Sequence, residues 1–480
     1  MSYRRHVSII ACFLGLLASA VYADGPVGHT PLVIDTDMGL DDAVTIALAL
    51  QTPGVEVRAI VACAGVVDAE TAVTHLERML DLFNRPDVAL YAASKADIVQ
   101  VPPFRDFAAQ SVARALPETQ TRYRRPFSPQ AYSDPDHRVV VLALGPLTNV
   151  ATALKQQPVL RKDIAAVLVA GAPEPDAGWN LRADTPAAML VGMSGVRQTY
   201  VVAGPGGVKP AAWKSPEFAA DANNSIAEEF LARLFEDAAV RTHYLERLAT
   251  LHDELALLYA VDPELFDERY GRATQVAADA NGVFRALDTI LRHGRQRKPH
   301  VIFADRPLPD RVLRDDVRQR RASITEKNGK VEWFAQLLTN EMHEHLGAHS
   351  IIGVKMGLRA AELLNAPTHG MRVVSHAPPH PPASCLNDGL IVATGSTPGR
   401  CLFTHEPTEN GTASATFECN GRRIRLTLKK EPQQKVREVI QALLKEHTLA
   451  DAEYWAGVRK FGLEIWENWH RRDLFEIIRE

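Results

Sequence analysis

Residues Val33 to Val44 read VIDTDMGLDDAV. Four carboxylates, Asp35, Asp37, Asp41 and Asp42, fall within eight residues, directly after the apolar start PLVI. Like charges this close repel and raise one another's pKa. PLVI reads as a buried strand and DDAVTIALAL as the helix after it, so the acids lie in the loop at the strand's carboxyl end. In an open parallel sheet, ligands bind at that end. The dipole and free N–H groups of a helix start stabilise one or two acids, which suits Asp41 and Asp42. Asp35 and Asp37 are left without an explanation. Four carboxylates converging at one strand end call for a cation, and an all-oxygen donor set favours Ca2+ or Mg2+ over zinc.

Outward from this stretch the two textures keep alternating. The β-rich runs VEVRAIVAC, VALYAAS, RVVVLALG, IAAVLVAG and TYVVAG interleave with the helical patterns AETAVTHLERMLDLF, LTNVATALKQQ and TPAAMLVGM, up to about residue 210. Strands alternating with helices indicate βαβ units. Strands that are almost continuously apolar indicate a parallel sheet covered on both faces. Residues 225–262 read as helical and HVIFA as a strand. From about residue 335 the texture changes to an amphipathic helix, VEWFAQLLTNEMHEHL, and a His-rich segment. The Pro-dense PPHPPASC follows, then two further β runs and a tail, AEYWAGVRKFGLEIWENWHRRDLFEIIRE, that reads as helical. The expected fold class is α/β: an open, mainly parallel sheet with flanking helices over 31–335, plus a smaller α+β domain over 336–480.

The 480 residues are 46% hydrophobic and 23% charged, ordinary for a soluble globular chain of two or three domains. A formal net charge of −4 provides no basic field for nucleic acid, so the expected partner is a small molecule; a homo-oligomer is left open. At the N-terminus, Arg4 and Arg5 precede the apolar VSIIACFLGLLASA and the small-residue site VYADG. Residues 1–23 therefore read as a cleaved signal peptide, too short for a comfortable span of about 20 apolar residues. The expected location is periplasmic or secreted, with no membrane attachment after cleavage. Such a compartment permits disulfides. Cys401 and Cys419 flank a segment containing the hairpin signal Asn410-Gly411, which would set them nearly opposite each other. A disulfide and a pair of free thiols both remain open.

Asp35 to Ala43, DTDMGLDDA, carries the DTDxGxDDA signature of the inosine-uridine-type nucleoside hydrolases. ALGPLTNVATAL (Ala143 to Leu154) resembles that family's TGPLTNIA segment, and HDELALLYAVDPELF (His252 to Phe266) resembles HDPxAxAYxxDP. GWNLRADTPAA resembles EFNxxxDPEAA, keeping Asn180 and Asp184. The resemblance spans roughly 31–335 and implies a calcium-dependent N-glycosidase acting on a nucleoside or related N-riboside. By that resemblance Asp37, Asp42, Asp253 and the Leu144 carbonyl hold calcium, and Asp41 is the general base. Asn180 and Asp35 contact the substrate, and His252 protonates the leaving base. The residue types suit the chemistry. N-glycoside hydrolysis passes through an oxocarbenium-like state, and calcium would hold both the sugar's vicinal hydroxyls and a water. Because Ca2+ polarises water less than Zn2+ does, a neighbouring carboxylate has to take the proton.

Three departures from the family pattern stand out. Gly65-Val66 replaces a Gly-Asn pair, Gly178 replaces an acid, and VPPFRDFAAQSVARAL stands where a HGxDG-type loop is usual. Two alternatives follow. One is a nucleoside- or sugar-binding protein that keeps the metal but has lost turnover. The other is a haloacid-dehalogenase-type phosphatase, whose DxDx(T/V) motif the loop matches except at Gly39.

In the C-terminal part, HEHLGAHSIIGVKMGLRAAELL (His343 to Leu364) resembles the HGHLGPxxxLGxRMG pattern of the E-type component of formylmethanofuran dehydrogenase. PPASCLNDGLIVATGSTPGRCLF resembles its CxxDGIQVxTGxTxGK segment, with Ser396 where many relatives have Cys. His343, His345 and Cys385 make a soft donor set suited to Zn2+ or another transition metal. Surface histidines near a helix start are the competing reading.

Overall fold

The structure is a computed structural model that describes residues 30–52, 55–94, 104–121, 123–135, 137–171, 179–203, 224–244, 251–269, 273–278, 280–293, 313–408 and 412–480. The expected signal peptide, the strand HVIFA and Gly178 lie outside these residues. The chain divides into two compact units, the first formed by residues up to 220 with 227–291 and 298–302, the second by 221–226, 292–297 and 303–480. Among the described residues, no helix is long and apolar enough to cross a membrane.

The first unit carries strands β1 (Thr30–Thr36), β2 (Val55–Ala62), β3 (Ala89–Tyr91), β4 (Arg124–Arg125), β5 (Val139–Ala143), β6 (Ile164–Ala170), β7 (Gln198–Ala203), β8 (Phe266–Arg269) and β9 (Ala273–Ala278). They form one sheet in the order β4-β3-β2-β1-β5-β6-β7-β9-β8. Every pairing is parallel except β8 with β9, which is antiparallel. All five residues of β5 are buried, as helix cover on both faces requires. From β1 the chain steps outward through β2 to β4, then returns to the other side of β1 as β5. This reversal leaves a crevice outside the carboxyl ends of β1 and β5. The register, Leu32 opposite Val140 through Asp35 opposite Ala143, aligns the acidic loop with Leu144.

The helix Leu40–Gln51 is buried along nearly its whole length, because the helix His252–Val261 packs over it and over β6 and β7. Gln51 fastens its far end, donating from Nε2 to the carbonyls of Ile290 (2.8 Å) and Leu291 (2.9 Å). These contacts bring the start of the His-Asp helix against the acidic loop.

The second unit holds a mixed sheet of β10 (Arg372–Ser375), β11 (Phe403–His405), β12 (Ser414–Cys419), β13 (Arg422–Leu428) and β14 (Phe475–Arg479), in the order β11-β10-β12-β13-β14. β10 and β11 are parallel and the rest antiparallel. The helix Arg321–Met342 belongs to this unit, so a division at 335/336 falls inside a helix. The helices Ala348–Leu364 and Leu386–Thr394 touch backbone to backbone. A Cβ on Gly353 would lie 2.2 Å from the Leu386 carbonyl oxygen, and one on Gly389 2.1 Å from that of Ser350. These two motif glycines therefore serve helix packing.

Three expectations for this unit change. The apolar run after PPHPPASC forms the helix Leu386–Thr394, since a short apolar run does not distinguish strand from helix by periodicity. The tail ends in β14, which pairs with β13. Asn410-Gly411 lies outside the described residues, and the strands flanking it are separated by β10, so they do not form a hairpin. The tight turn is a different Asn-Gly pair, Asn420 (φ 49°) and Gly421 (φ 78°), between β12 and β13. Both conformations are left-handed, as a two-residue hairpin turn prefers. Cys401, exposed, and Cys419, buried, are not joined by a disulfide.

Candidate active site

Thr36 ends β1 and begins a strained corner. Met38 takes φ 55°, a left-handed conformation that costs a residue with a Cβ about 1–2 kcal/mol. Its N–H donates to Thr36 Oγ1 at 3.0 Å, and the Thr36 hydroxyl donates to the Asp42 carboxylate. The corner turns Asp37, Asp41 and Asp42 toward one cavity of about 180 Å³, lined also by Leu144 after β5, by Gly171 after β6, and by Asn180, His252 and Asp253. Asp41, Asp42 and Asp253 each place a carboxylate oxygen within 4.8 Å of the others. Asp37 lines the same cavity but stands outside that closest trio. Its Oδ2 accepts from the Val66 N–H at 2.9 Å. A Cβ on Gly65 would lie 1.9 Å from that same oxygen, so only glycine lets the β2 loop approach Asp37 this closely.

Asp35, expected to contact the substrate, is not among the residues lining the cavity. It is 1% exposed and its carboxylate accepts from the Tyr132 hydroxyl and from Asn149 Nδ2 (3.1 Å). Its carbonyl accepts from the N–H of Leu144 at 2.8 Å. Asp35 thus ties β1 to the loop after β5. Burial pushes its pKa up to about 6, against the lowering effect of its hydrogen bonds. Asn180 does reach the cavity, and its amide donates to the Leu144 carbonyl. Asp184 is structural: it caps the helix Thr185–Met193 through the Ala187 N–H (3.1 Å) and accepts from Thr148 Oγ1 (2.7 Å).

Burial dominates the electrostatics. It drives Asp37 up to about 7, opposed by the Val66 N–H and reinforced by Asp41. Asp42 and Asp253 are pushed well above the usual carboxylate range by burial first and by the neighbouring acids second. Asp41 is also raised by burial, while the imidazoles of His252 and His243 pull it down. Burial lowers His252 and favours its neutral form. Asp253 Oδ2 is buried without a hydrogen-bond partner, although buried polar atoms are ordinarily satisfied. Buried, mutually repelling carboxylates with a carbonyl and an orphaned oxygen fit a hard divalent cation, which takes such oxygens as ligands.

Beside Val66, one of the departures noted above, the pocket also contains residues that the sequence reading did not single out: Phe104, Trp179 and His243. Of these, only Trp179 had a usable signal, its place beside Asn180. His243 sits in no motif and reaches the cavity only through the fold.

In the second unit, His343, Cys385 and Asp388 bring donor atoms within 4.8 Å of one another. His343 Nδ1 lies 2.9 Å from Asp388 Oδ2, and His343 Nε2 is buried without a partner. Asp388 takes the place expected for His345. The His345 ring packs instead against His343 (centroids 4.2 Å) and Trp455 (4.9 Å). Burial, and then Asp388, raises the Cys385 thiol.

Both units have counterparts among known proteins. Residues 32–315 match the family model described as "inosine-uridine preferring nucleoside hydrolase", and residues 342–475 match "FmdE, Molybdenum formylmethanofuran dehydrogenase operon". The chain is 32% identical over 190 residues to the pyrimidine-specific ribonucleoside hydrolase RihA of Klebsiella pneumoniae subsp. pneumoniae, covering 35% of this chain and 58% of that protein. It is 29% identical over 268 residues to RihA of Salmonella typhi, covering 49% and 81%. A solved purine-preferring ribonucleoside hydrolase from Gardnerella vaginalis aligns at 22% identity with a TM-score of 0.44, over 55% of this chain and 98% of that one.

Proposed function

The chain belongs, over residues 32–315, to the inosine-uridine preferring nucleoside hydrolase family, and on that premise we propose that it is a calcium-dependent hydrolase of the N-glycosidic bond of a ribonucleoside or related N-riboside. The observation that carries this reading is the convergence of Asp41 and Asp42 with the sequence-distant Asp253 in one cavity. Asp37, Asp42, Asp253 and the Leu144 carbonyl are the residues that would hold calcium, with the Asp41 carboxylate beside them. Bound there, calcium would supply positive charge against the carboxylates and polarise a water and the sugar's hydroxyls.

The protein's own groups divide the remaining work. The Asp41 carboxylate takes the proton of the attacking water. Asn180, fixed at Leu144, offers its amide to the sugar. As the C1′–N bond breaks, its electron pair leaves with the base, and His252 donates an N–H toward it. Water ends as the sugar's anomeric hydroxyl, and the proton that Asp41 took passes through solvent to the departed base, which ends neutral. Uridine and cytidine are the first substrates to try, because the curated relatives are pyrimidine-specific by name.

The family assignment sets the phosphatase alternative aside. A binding protein without turnover draws support from Val66, whose side chain offers no hydrogen bond to a sugar. In the second unit we propose a transition-metal site on His343, Cys385 and Asp388, a mixed N, S and O set. The reading that residues 1–23 export the protein rests on their charge and hydropathy pattern.

One experiment addresses these proposals together. Purified protein is analysed for metals and assayed for ribose release from uridine, cytidine, inosine and guanosine, with chelator and after calcium restoration. The proposal expects stoichiometric calcium, one transition ion that is lost in C385S, and release that chelation abolishes and calcium restores. Nucleoside binding without release would establish the non-enzymatic reading, and release insensitive to chelator would contradict the metal-dependent one.

A further inference from the structure

We infer that His243 is a second contact to the departing base, donating an imidazole N–H to it alongside His252. This inference rests on the N-ribosidase reading and adds a catalytic residue to it.

His243 lines the cavity that holds Asp41, Asp253 and His252. Its ring packs against Phe104 (centroids 5.8 Å, 45° between planes) and Phe107 (5.5 Å, 61°). Phe104 lines the cavity as well, so this side of the pocket is an aromatic surface carrying one polar edge. Such a surface suits a planar heterocycle, which stacks on rings and presents ring nitrogens and carbonyl oxygens at its rim. The acids occupy the other chemical role, since the sugar and the water require the carboxylates.

Two anchors fix the position of the ring. Tyr244, the next residue, donates its hydroxyl to Glu254, and both are buried. Glu254 follows His252 and Asp253 at the start of their helix, so His243 is pinned to the element that carries the other imidazole. On the opposite side, Arg105 donates to the carbonyls of Gly65 (3.0 Å) and Val66 (3.3 Å), which holds the Phe104–Phe107 segment to the loop contacting Asp37. Both imidazoles act electrostatically on Asp41, so neither is remote from the reacting centre.

Natural nucleobases are poor leaving groups, and each hydrogen bond formed as charge develops on the base lowers the barrier. A nitrophenolate leaves readily and has little need of such help. The test is therefore kcat/KM on uridine and inosine compared with p-nitrophenyl β-D-ribofuranoside, for the calcium-loaded full-length wild type, H243F and H243Q. The inference predicts that H243F, which keeps a ring against Phe104 and Phe107 but has no N–H to donate, loses at least about 30-fold on the nucleosides and loses far less on the nitrophenyl riboside, with calcium affinity unchanged. H243Q, which keeps an amide donor, should recover part of the nucleoside activity. An equal loss on both substrate classes, or no loss on the nucleosides, would overturn the role given to His243 and leave the N-ribosidase reading intact. A wild type that cleaves neither class would remove that reading, and this inference with it.

Discussion

Asp41 and Asp42 are neighbours in sequence with different tasks. Asp42 is 2% exposed and tied to Thr36, so its carboxylate is fixed and suited to holding an ion. Asp41 is half-buried at the cavity and carries no such tie to Thr36. On this basis D41N should lower kcat on nucleosides by roughly 10²–10⁴-fold while calcium affinity falls much less, as calorimetric titration would report. Loss of calcium binding equal to that of D42N would make Asp41 a ligand and refute its role as base. Spacing alone marked all four acids of the loop, Asp35 included, as a place for a cation, and Asp253 and His252 were assigned by motif; of these, Asp37, Asp41, Asp42, His252 and Asp253 line one cavity. The role of Asp35 was not legible, because its partners Tyr132 and Asn149 are remote in sequence and meet it only across the sheet.

The elements follow simple causes. Apolar runs such as RVVVLALG became parallel strands covered on both faces, and the β1–β5 reversal placed the loop over a crevice. Errors in reading arose where local signals compete. DGLIVATG has strand-like composition but packs as a helix because Gly389 admits the backbone of the Ala348–Leu364 helix. Among the four Asn-Gly pairs of the sequence, local signals do not single out Asn420-Gly421 as the tight turn between β12 and β13. The helix Ala69–Leu82 carries a measurable consequence of burial. His75 is 3% exposed, and burial, aided by Arg78 and opposed by Asp68, lowers its pKa to about 4. Its imidazole is therefore neutral in the fold, while the unfolded chain takes up a proton near pH 6.5. Its contribution to stability is complete above about pH 6.5 and is lost as pH falls toward about 4, with a limit of the order of 3 kcal/mol. Urea midpoints at pH 7 and pH 5 should converge more closely in H75Q than in the wild type. Equal slopes in the two proteins would mean that His75 is protonated in the fold.

At the scale of the whole chain, two compact units carry two different donor sets: oxygen-only in the first, and nitrogen, sulfur and oxygen in the second. Hard and soft ions should partition between them accordingly. The first set depends on long-range packing, since Asp253 reaches the acidic loop only because the His252–Val261 helix lies across the helix Leu40–Gln51. The central claim is that these two distant segments grip one calcium ion. Calcium titrated into chelator-stripped wild type and D253A tests it directly. The account predicts one tight site in the wild type and at least a hundredfold weaker binding in D253A, equivalent to about 2.7 kcal/mol. Unchanged affinity in D253A would contradict it.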